Sequence, residues 1–222
     1  MEQPVSARRG ENLPEPVVRR LPWYLTQVHE LHRSGVAWVS SVALADALGL
    51  TSSTVRQDLS HLDLTGVSKR GYEVETLERV LRLELGADEV HRVVIVGAGY
   101  LGCALALHGD LRERGFEACG IFDIDPEIMG TRVGSMSVRP VDALKTVVRK
   151  RNVELGIIAV PADAAQEVAD QLVEAGVKGI MNLTYVRLRM DPAVNVVNAR
   201  LLAGLHELAY IVRKNDARAV DA

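Results

Sequence analysis

Val93-Val94-Ile95-Val96-Gly97-Ala98-Gly99-Tyr100-Leu101-Gly102 runs an apolar segment straight into a glycine-rich turn. Four consecutive β-branched residues read as a strand buried on both faces. The three glycines at G-x-G-x-x-G spacing have separate tasks. Gly97 permits the tight strand-to-helix turn, Gly99 lets backbone approach a pyrophosphate, and Gly102 lets the next helix pack close to the strand. Ala98, Tyr100 and Leu101 fill the turn, and the first N–H groups of the helix are left for phosphate oxygens. A second apolar run, Ala118-Cys119-Gly120-Ile121-Phe122, ends on Asp123, 21 residues after Gly102. A carboxylate there accepts hydrogen bonds from the adenosine ribose hydroxyls and repels a 2′-phosphate, so the pattern favours NAD(H) over NADP(H). Asp125, before Pro126, is the fallback for that role. On the motif alone, S-adenosylmethionine or an empty structural Rossmann fold stay open.

Downstream the pattern alternates. Strands are predicted over 92–96, 117–122, 155–160, 178–182 and 194–197, with helices over 100–114, 141–151 and 163–175. Alternation of this kind predicts a parallel sheet covered by helices. Val160-Pro161-Ala162 ends one strand at the carboxyl edge, where ligands of such sheets bind. Val160 and Pro161 are candidates to pack near a nicotinamide, or they simply open the next helix. Asn182-Leu183-Thr184-Tyr185 ends another strand at the same edge, its polar groups either facing the cofactor or closing the loop. The last helix, over 198–213, carries Leu201, Leu202, Leu205, Leu208, Ala209 and Val212. So wide an apolar face needs a cover, either its own domain or a second subunit.

Upstream lies a different module. Residues 1–16 are polar and hold Pro4, Pro14 and Pro16, and read as a disordered arm. A first helix is predicted after Pro22, with Tyr24, Leu25, Val28 and Leu31 on one face. Val39-Ser40-Ser41 starts a second, with Val42, Leu44, Ala45 and Leu48 inward. After the turn Gly49-Leu50-Thr51, a third helix buries Val55, Leu59 and Leu62 and turns Ser52, Ser53, Arg56, Gln57 and Ser60 outward. Helix, glycine turn, then a helix with a small polar and cationic outer face is the helix-turn-helix plan. Residues 66–74 are predicted to form a two-stranded wing with Lys69 and Arg70 near its tip, beside DNA phosphates. Such three-helix units also serve in protein docking. A further helix, 75–85, leads into the second domain.

Net charge is −3 over 222 residues. Residues 1–72 hold eight basic and seven acidic side chains, so any DNA affinity rests on a few placed cations and on dimerisation. No apolar run approaches the roughly 20 residues of a membrane span, and Met1 to Gly10 lacks a signal-peptide core, so a cytoplasmic location is expected. Cys103 and Cys119 read as buried reduced thiols. No His/Cys cluster has metal-ligand spacing.

Taken with Arg19-Arg20-Leu21-Pro22-Trp23-Tyr24-Leu25, Leu44-Ala45-Asp46-Ala47-Leu48-Gly49, Val55-Arg56-Gln57-Asp58-Leu59-Ser60, Phe122-Asp123-Ile124-Asp125-Pro126, Val160-Pro161-Ala162, Gly176-Val177-Lys178-Gly179-Ile180-Met181-Asn182 and Leu208-Ala209-Tyr210, these motifs resemble the Rex family of redox-sensing transcriptional repressors. The resemblance covers nearly the whole chain after residue 14. It implies an α/β protein with an N-terminal winged helix-turn-helix domain and a C-terminal Rossmann (doubly wound parallel sheet) domain, as a homodimer that exchanges its C-terminal helix. It implies a repressor that senses the NADH/NAD+ ratio and leaves an inverted-repeat double-stranded DNA operator when NADH binds. Four departures stand out: Gln57 where the family usually has Lys, the stretch His61 to Ser68, Tyr100 at the pyrophosphate turn, and Arg200 in place of an acidic residue.

The expected division is an arm over 1–16, a winged-helix domain over 17–86, an NAD(H)-binding domain over 87–197, and a dimerisation helix and tail over 198–222. The rival readings are an NAD-dependent reductase and a DNA-binding Rossmann protein without redox sensing. Against the first, no evident catalytic His/Asp constellation appears, and His108 and His206 read as surface or packing residues in helices.

Overall fold

Helix α1 (Glu15–Arg33) begins before Pro22, not after it. In this computed structural model, which describes residues 13–199 and 201–220, Pro16 sits in the first turn of α1, where the missing N–H would have had no intrahelical partner. Pro22 lies in the interior and removes a ladder bond. Burial of Val17, Leu21, Tyr24 and Val28 along one face holds the helix through it. The arm expected over 1–16 is shortened accordingly. Leu13 already packs on the core, and residues 1–12 lie outside the described residues.

The chain divides between Glu89 and Val90 into two compact units. The first continues with β1 (Trp38–Val39), α2 (Ser41–Leu48), α3 (Ser52–Ser60), β2 (Tyr72–Glu73) and α4 (Val74–Leu85). The Ser40 hydroxyl caps α2 by accepting the Ala43 N–H at 3.0 Å, and the Thr51 hydroxyl caps α3 by accepting that of Thr54 at 3.1 Å. Val55, Leu59 and Leu62 join Leu44, Ala45, Leu77 and Leu81 in the core. Val42 does not: it is exposed. Two residues before Leu44 places it about 200° around the helix, on the solvent side.

The wing differs from the expected hairpin. Within it, Val67 and Gly71 form an isolated bridge, closing a turn in which Lys69 takes φ 62° and Gly71 φ 92°. Tyr72–Glu73 then pairs with Trp38–Val39. Gly71 is pressed so close that a Cβ there would lie 2.2 Å from the Val39 carbonyl oxygen. The strand leaving the turn is thereby committed to β1.

Two buried carboxylates bind α1 to its neighbours. Asp58 of α3 accepts from Arg20 Nε at 2.6 Å, Arg20 Nη2 at 2.7 Å and Tyr24 Oη at 2.8 Å. Burial, then the bond to Asp58 and its charge, push the Tyr24 phenol well above its ordinary value, so it remains a donor. Glu78 of α4 accepts from His29 Nδ1 at 2.8 Å and from His32 Nδ1. Burial alone would raise the Glu78 carboxyl, but the hydrogen bonds and charges of the two histidines outweigh it and hold the carboxyl below its ordinary value. A folded value below the unfolded one gives stability that is complete above the ordinary glutamate value near 4.5 and is lost as pH falls through the folded value. Glu78→Gln is therefore expected to cost about 1–2 kcal/mol near neutral pH. Denaturant melts of the two proteins, run from neutral to acid, should converge at the acid end.

The second unit holds β3 (His91–Val96), α5 (Tyr100–Ala106), α6 (Asp110–Glu113), β4 (Phe116–Asp123), β5 (Arg132–Val133), β6 (Met136–Pro140), α7 (Leu144–Arg151), β7 (Leu155–Ile158), α8 (Ala165–Ala175), β8 (Gly179–Asn182), β9 (Asn195–Asn198) and α9 (Leu201–Val220). The sheet order is β5-β6-β4-β3-β7-β8-β9. The pairs from β6 to β9 are parallel, and β5 is an antiparallel edge. Without that edge strand, and with β3 counted first, the order is 3-2-1-4-5-6, the dinucleotide-binding arrangement. Val94, Val96, Phe122, Ile158 and Ile180 share a core with α7 and α8. Val93, Ile95, Ile121 and Ile157 belong to the core on the opposite face.

Several boundaries move. The helix expected over 100–114 breaks into α5 and α6 around Gly109, a poor helix former. His108 therefore sits in the break and not in a helix. The 141–151 helix opens with a 3₁₀ turn, Val141–Ala143. Strand β7 stops at Ile158, short of Val160, and α8 starts at Ala165 after a turn at Pro161. Helix α9 runs to Val220, past the expected end at 213.

Candidate functional site

The Gly97–Gly102 turn lies where the strand order reverses, at the carboxyl ends of β3 and β7. The Gly97 N–H donates to Phe122 O at 2.8 Å and the Ala159 N–H to Val96 O at 2.8 Å. Gly97 takes φ 103°, and a Cβ on it would stand 2.3 Å from the Ala159 carbonyl oxygen. A Cβ on Gly102 would stand 1.9 Å from the Gly97 carbonyl oxygen. These two glycines fix the turn against the sheet. Gly99 is different: a Cβ there would meet no atom within 4 Å. The opening in front of it, with the first N–H groups of α5 at its rim, is the space a pyrophosphate needs, so the residues present fit a dinucleotide.

Asp123 ends β4 beside this turn. Its Oδ2 accepts the Ala98 N–H at 2.6 Å, and its Oδ1 accepts those of Ile124 at 2.7 Å and Asp125 at 3.0 Å. Three backbone donors thus set the orientation of the carboxylate at the rim. Asp125 instead accepts the Glu127 N–H at 2.9 Å and shapes the following loop. Tyr100 is fully exposed and Leu101 is exposed beside it. Val160 and Pro161 follow β7 on the same edge, as does the loop after Asn182. The turn, Asp123 and Val160–Pro161 thus share one sheet edge, as the sequence pattern requires.

In the first unit, Ser53, Arg56, Gln57 and Ser60 lie on the exposed side of α3, with Ser52 half-buried at its first turn. Arg56 Nη1 donates to Ser41 Oγ at 3.2 Å. A groove of about 440 Å³ separates α3 from the wing and is lined by Ser40, Ser41, Arg56, Ser68, Lys69 and Tyr72. The wing cations differ in freedom: the Arg70 guanidinium lies over the Trp38 ring, 4.0 Å from its centre, while Lys69 occupies the tip. The contributions of Ser41, Trp38 and Tyr72 were not legible from the sequence. They arise from the β1–β2 pairing, which sets Trp38 opposite Glu73 and Val39 opposite Tyr72, residues far apart in the chain.

Helix α9 exposes Leu202, Leu205, Leu208, Tyr210, Ile211 and Val212. Tyr210 and Lys214 on it have the Tyr-x-x-x-Lys spacing of some reductases. The sheet has a matching deficit. Ile121, Ile95, Ile157, Met181 and Val197 stand side by side across β4, β3, β7, β8 and β9. Their exposure climbs along that row through 0, 0, 6, 40 and 67 %. Residues 183–194, between β8 and β9, form no helix to cover this end of the face. Arg200, the fourth departure from the family pattern, lies outside the described residues.

A winged helix joined to a Rossmann sheet is the build of a nucleotide-responsive DNA-binding regulator. Residues 12–60 match the family described as putative DNA-binding protein N-terminus, and residues 88–186 match the CoA binding domain family. The redox-sensing transcriptional repressor Rex of Carboxydothermus hydrogenoformans is 41% identical over 93% of this chain and 100% of its own length. That of Streptomyces coelicolor is 40% identical over 92% and 79%. The crystal structure of RSP, a Rex-family repressor, in complex with NADH superposes with a TM-score of 0.86 at 32% identity, covering 96% of this chain and all of that one. RSP in complex with NAD+ and operator DNA gives 0.86 at 33% identity, covering 94% and 96%. The chain belongs to the Rex family of redox-sensing transcriptional repressors.

Proposed function

We propose that this chain is a homodimeric repressor that reads the NADH/NAD+ ratio and releases an inverted-repeat operator when NADH binds. The observation that carries the reading is a pairing within one chain: an open, Cβ-free position at Gly99 in the switch-point turn, and an exposed polar α3 flanked by a cation-lined groove. Gly97, Ala98, Gly99, Tyr100, Leu101 and Gly102 hold the pyrophosphate, Asp123 holds the adenosine ribose, and Val160 and Pro161 flank the nicotinamide. That end of the cofactor supplies the hydride-carrying ring whose two redox states differ in charge. Ser52, Ser53, Arg56, Gln57 and Ser60 meet bases and phosphates in the major groove, while Lys69 and Arg70 hold backbone phosphates. Two α3 helices must stand one helical turn, ~34 Å, apart to read both half-sites.

Dimerisation runs through α9, which lays its apolar face on the partner's uncovered sheet row at Met181 and Val197. The two unpartnered surfaces within one unit support this assignment. No described helix is long and apolar enough to cross a membrane, and we place the protein in the cytoplasm, acting on DNA and not as a reductase. NADH must prefer the DNA-free arrangement, since a ligand bound equally by both arrangements shifts nothing. In an anisotropy titration on an inverted-repeat duplex, saturating NADH is expected to weaken operator binding by about tenfold or more, with a much smaller effect of NAD+. Equal retention of DNA with both would overturn the redox reading, and steady NADH oxidation with a small carbonyl compound would restore the reductase.

A further inference from the structure

Asn182, the last residue of β8, is fully buried and uses every hydrogen-bonding position of its side chain. Its Nδ2 donates to Val186 O at 2.8 Å and to Asn198 Oδ1 at 2.9 Å. Its Oδ1 accepts from Thr184 N at 3.0 Å and from Thr184 Oγ1 at 2.8 Å. Its main-chain carbonyl accepts the Ala199 N–H at 2.9 Å. The amide cannot be turned over, because a flipped oxygen would face the Val186 carbonyl and a flipped nitrogen would face the Thr184 N–H. One buried amide therefore holds three segments: the end of β8, the loop 183–186, and the end of β9 from which α9 departs at Leu201. The loop is also tied to the cleft, since the Leu183 N–H donates to Ile158 O at 3.0 Å, two residues before Val160.

We infer that Asn182 is the positioning residue that couples occupancy of the cleft to the stem of α9. The inference rests on the function proposed above. A displacement of loop 183–186 moves Thr184 and Val186, which hold opposite ends of the amide. With all four positions filled, Asn182 cannot follow the loop and keep Asn198. The stem of α9 then shifts with the loop or parts from it, and either outcome changes how α9 is presented to the partner subunit. Coupling of this kind needs an element with two arrangements that both sites bias. A saturated buried node supplies one, because intermediate positions leave buried polar groups unpaired.

Asn198→Ala tests this from the exposed end of the node, and Asn198→Asp keeps the acceptor oxygen as the conservative control. The readout is the ratio of operator affinities without and with saturating NADH. Asn198→Ala is expected to reduce that ratio at least fivefold, leaving NADH affinity within about twofold, while Asn198→Asp keeps the ratio. A wild-type ratio in Asn198→Ala overturns the inference. Hydrogen exchange on the ligand-free protein separates this from the parent reading: Asn198→Ala should speed exchange of the Thr184 and Val186 amides, which lie across Asn182 from the substitution. Unchanged exchange there overturns the node even if the repressor responds to NADH. A wild-type protein that ignores NADH, with faster exchange in Asn198→Ala, overturns the redox reading and leaves the mechanical link standing.

Discussion

Gly99→Ala is expected to weaken NADH binding about tenfold or more while lowering the melting temperature by only about 1–2 °C. Gly99 has φ −71° and ψ −174°, extended backbone that alanine adopts without strain. Its new Cβ meets nothing within 4 Å, so the folded chain has no atom to push aside. Replacing glycine by alanine at a helix N-cap costs about 0.5 kcal/mol, which is the whole of the expected stability loss. On the function proposed above, the bound pyrophosphate is what the methyl group would strike. The neighbouring glycines predict the opposite balance. In Gly102→Ala the Cβ would lie 1.9 Å from a backbone oxygen that cannot rotate away, so α5 must separate from β3. In Gly97→Ala a similar clash at 2.3 Å is added to a φ of 103° that alanine rarely adopts. Each of these should cost about 3 kcal/mol or more and lower the melting temperature on the order of 6–12 °C, with cofactor binding lost as a consequence. Calorimetric titration with NADH, beside thermal melts of all three variants, separates the two patterns. Wild-type NADH affinity in Gly99→Ala would mean that no phosphate lies against this turn.

That contrast marks what a sequence can disclose. The spacing of Gly97, Gly99 and Gly102 identifies the turn because each glycine answers a local backbone demand, and local demands are written in consecutive residues. The same holds for the Ser40 and Thr51 caps and for the inward face of α3. What was misread depends on distant partners. Gly66 to Val74 looks like a self-contained hairpin, yet Tyr72–Glu73 finds a better ladder at Trp38–Val39. Pro22 looks like a helix boundary, yet a row of buried residues on both sides of it carries α1 through. β5 went unseen because a two-residue strand is too short to show alternation, and β6, five residues long, turns only Met136 and Val138 inward before Pro140; the turn between them depends on Gly134 at φ 60°.

The candidate sites divide along the same line. The cofactor edge was legible because the fold class fixes where strands end. The wing cations were legible as residues but not as a pair with unequal freedom, since the stacking of Arg70 on Trp38 requires the β1–β2 ladder. Asn182 reads in the sequence only as a polar strand end that faces a cofactor or closes a loop, because nothing in Asn182-Leu183-Thr184-Tyr185 announces a partner at Asn198. The apolar face of α9 left two covers open, its own domain or another subunit. The rising exposure from Ile157 to Val197 supplies an uncovered apolar surface in the same unit, and the proposed dimer is the arrangement that uses both.

Asp58→Ala should be among the most damaging single changes in the DNA-reading unit. It removes the acceptor of three hydrogen bonds of 2.6–2.8 Å and leaves Tyr24 Oη without that partner at a fully buried position. Removing one partner of a buried ion pair costs about 3–5 kcal/mol. Here the Arg20 side chain keeps 25% of its surface in water, so rehydration of the guanidinium should hold the loss near the lower end, about 3 kcal/mol. Tyr24→Phe deletes a single bond and should cost about 1 kcal/mol. Because Asp58 shares α3 with the exposed Arg56, about 200° around the helix, and Gln57, the loss also frees α3 to rotate and blurs the face it presents to DNA. Operator affinity should then fall further than the unfolded fraction accounts for. A double-mutant cycle with Arg20→Ala and Asp58→Ala is expected to return a coupling of about 2 kcal/mol in stability. Hydrogen exchange on the full chain should place the lost protection in α1 and α3. Additive losses, with α3 as protected as in the wild type, would mean that apolar packing alone orients the reading helix.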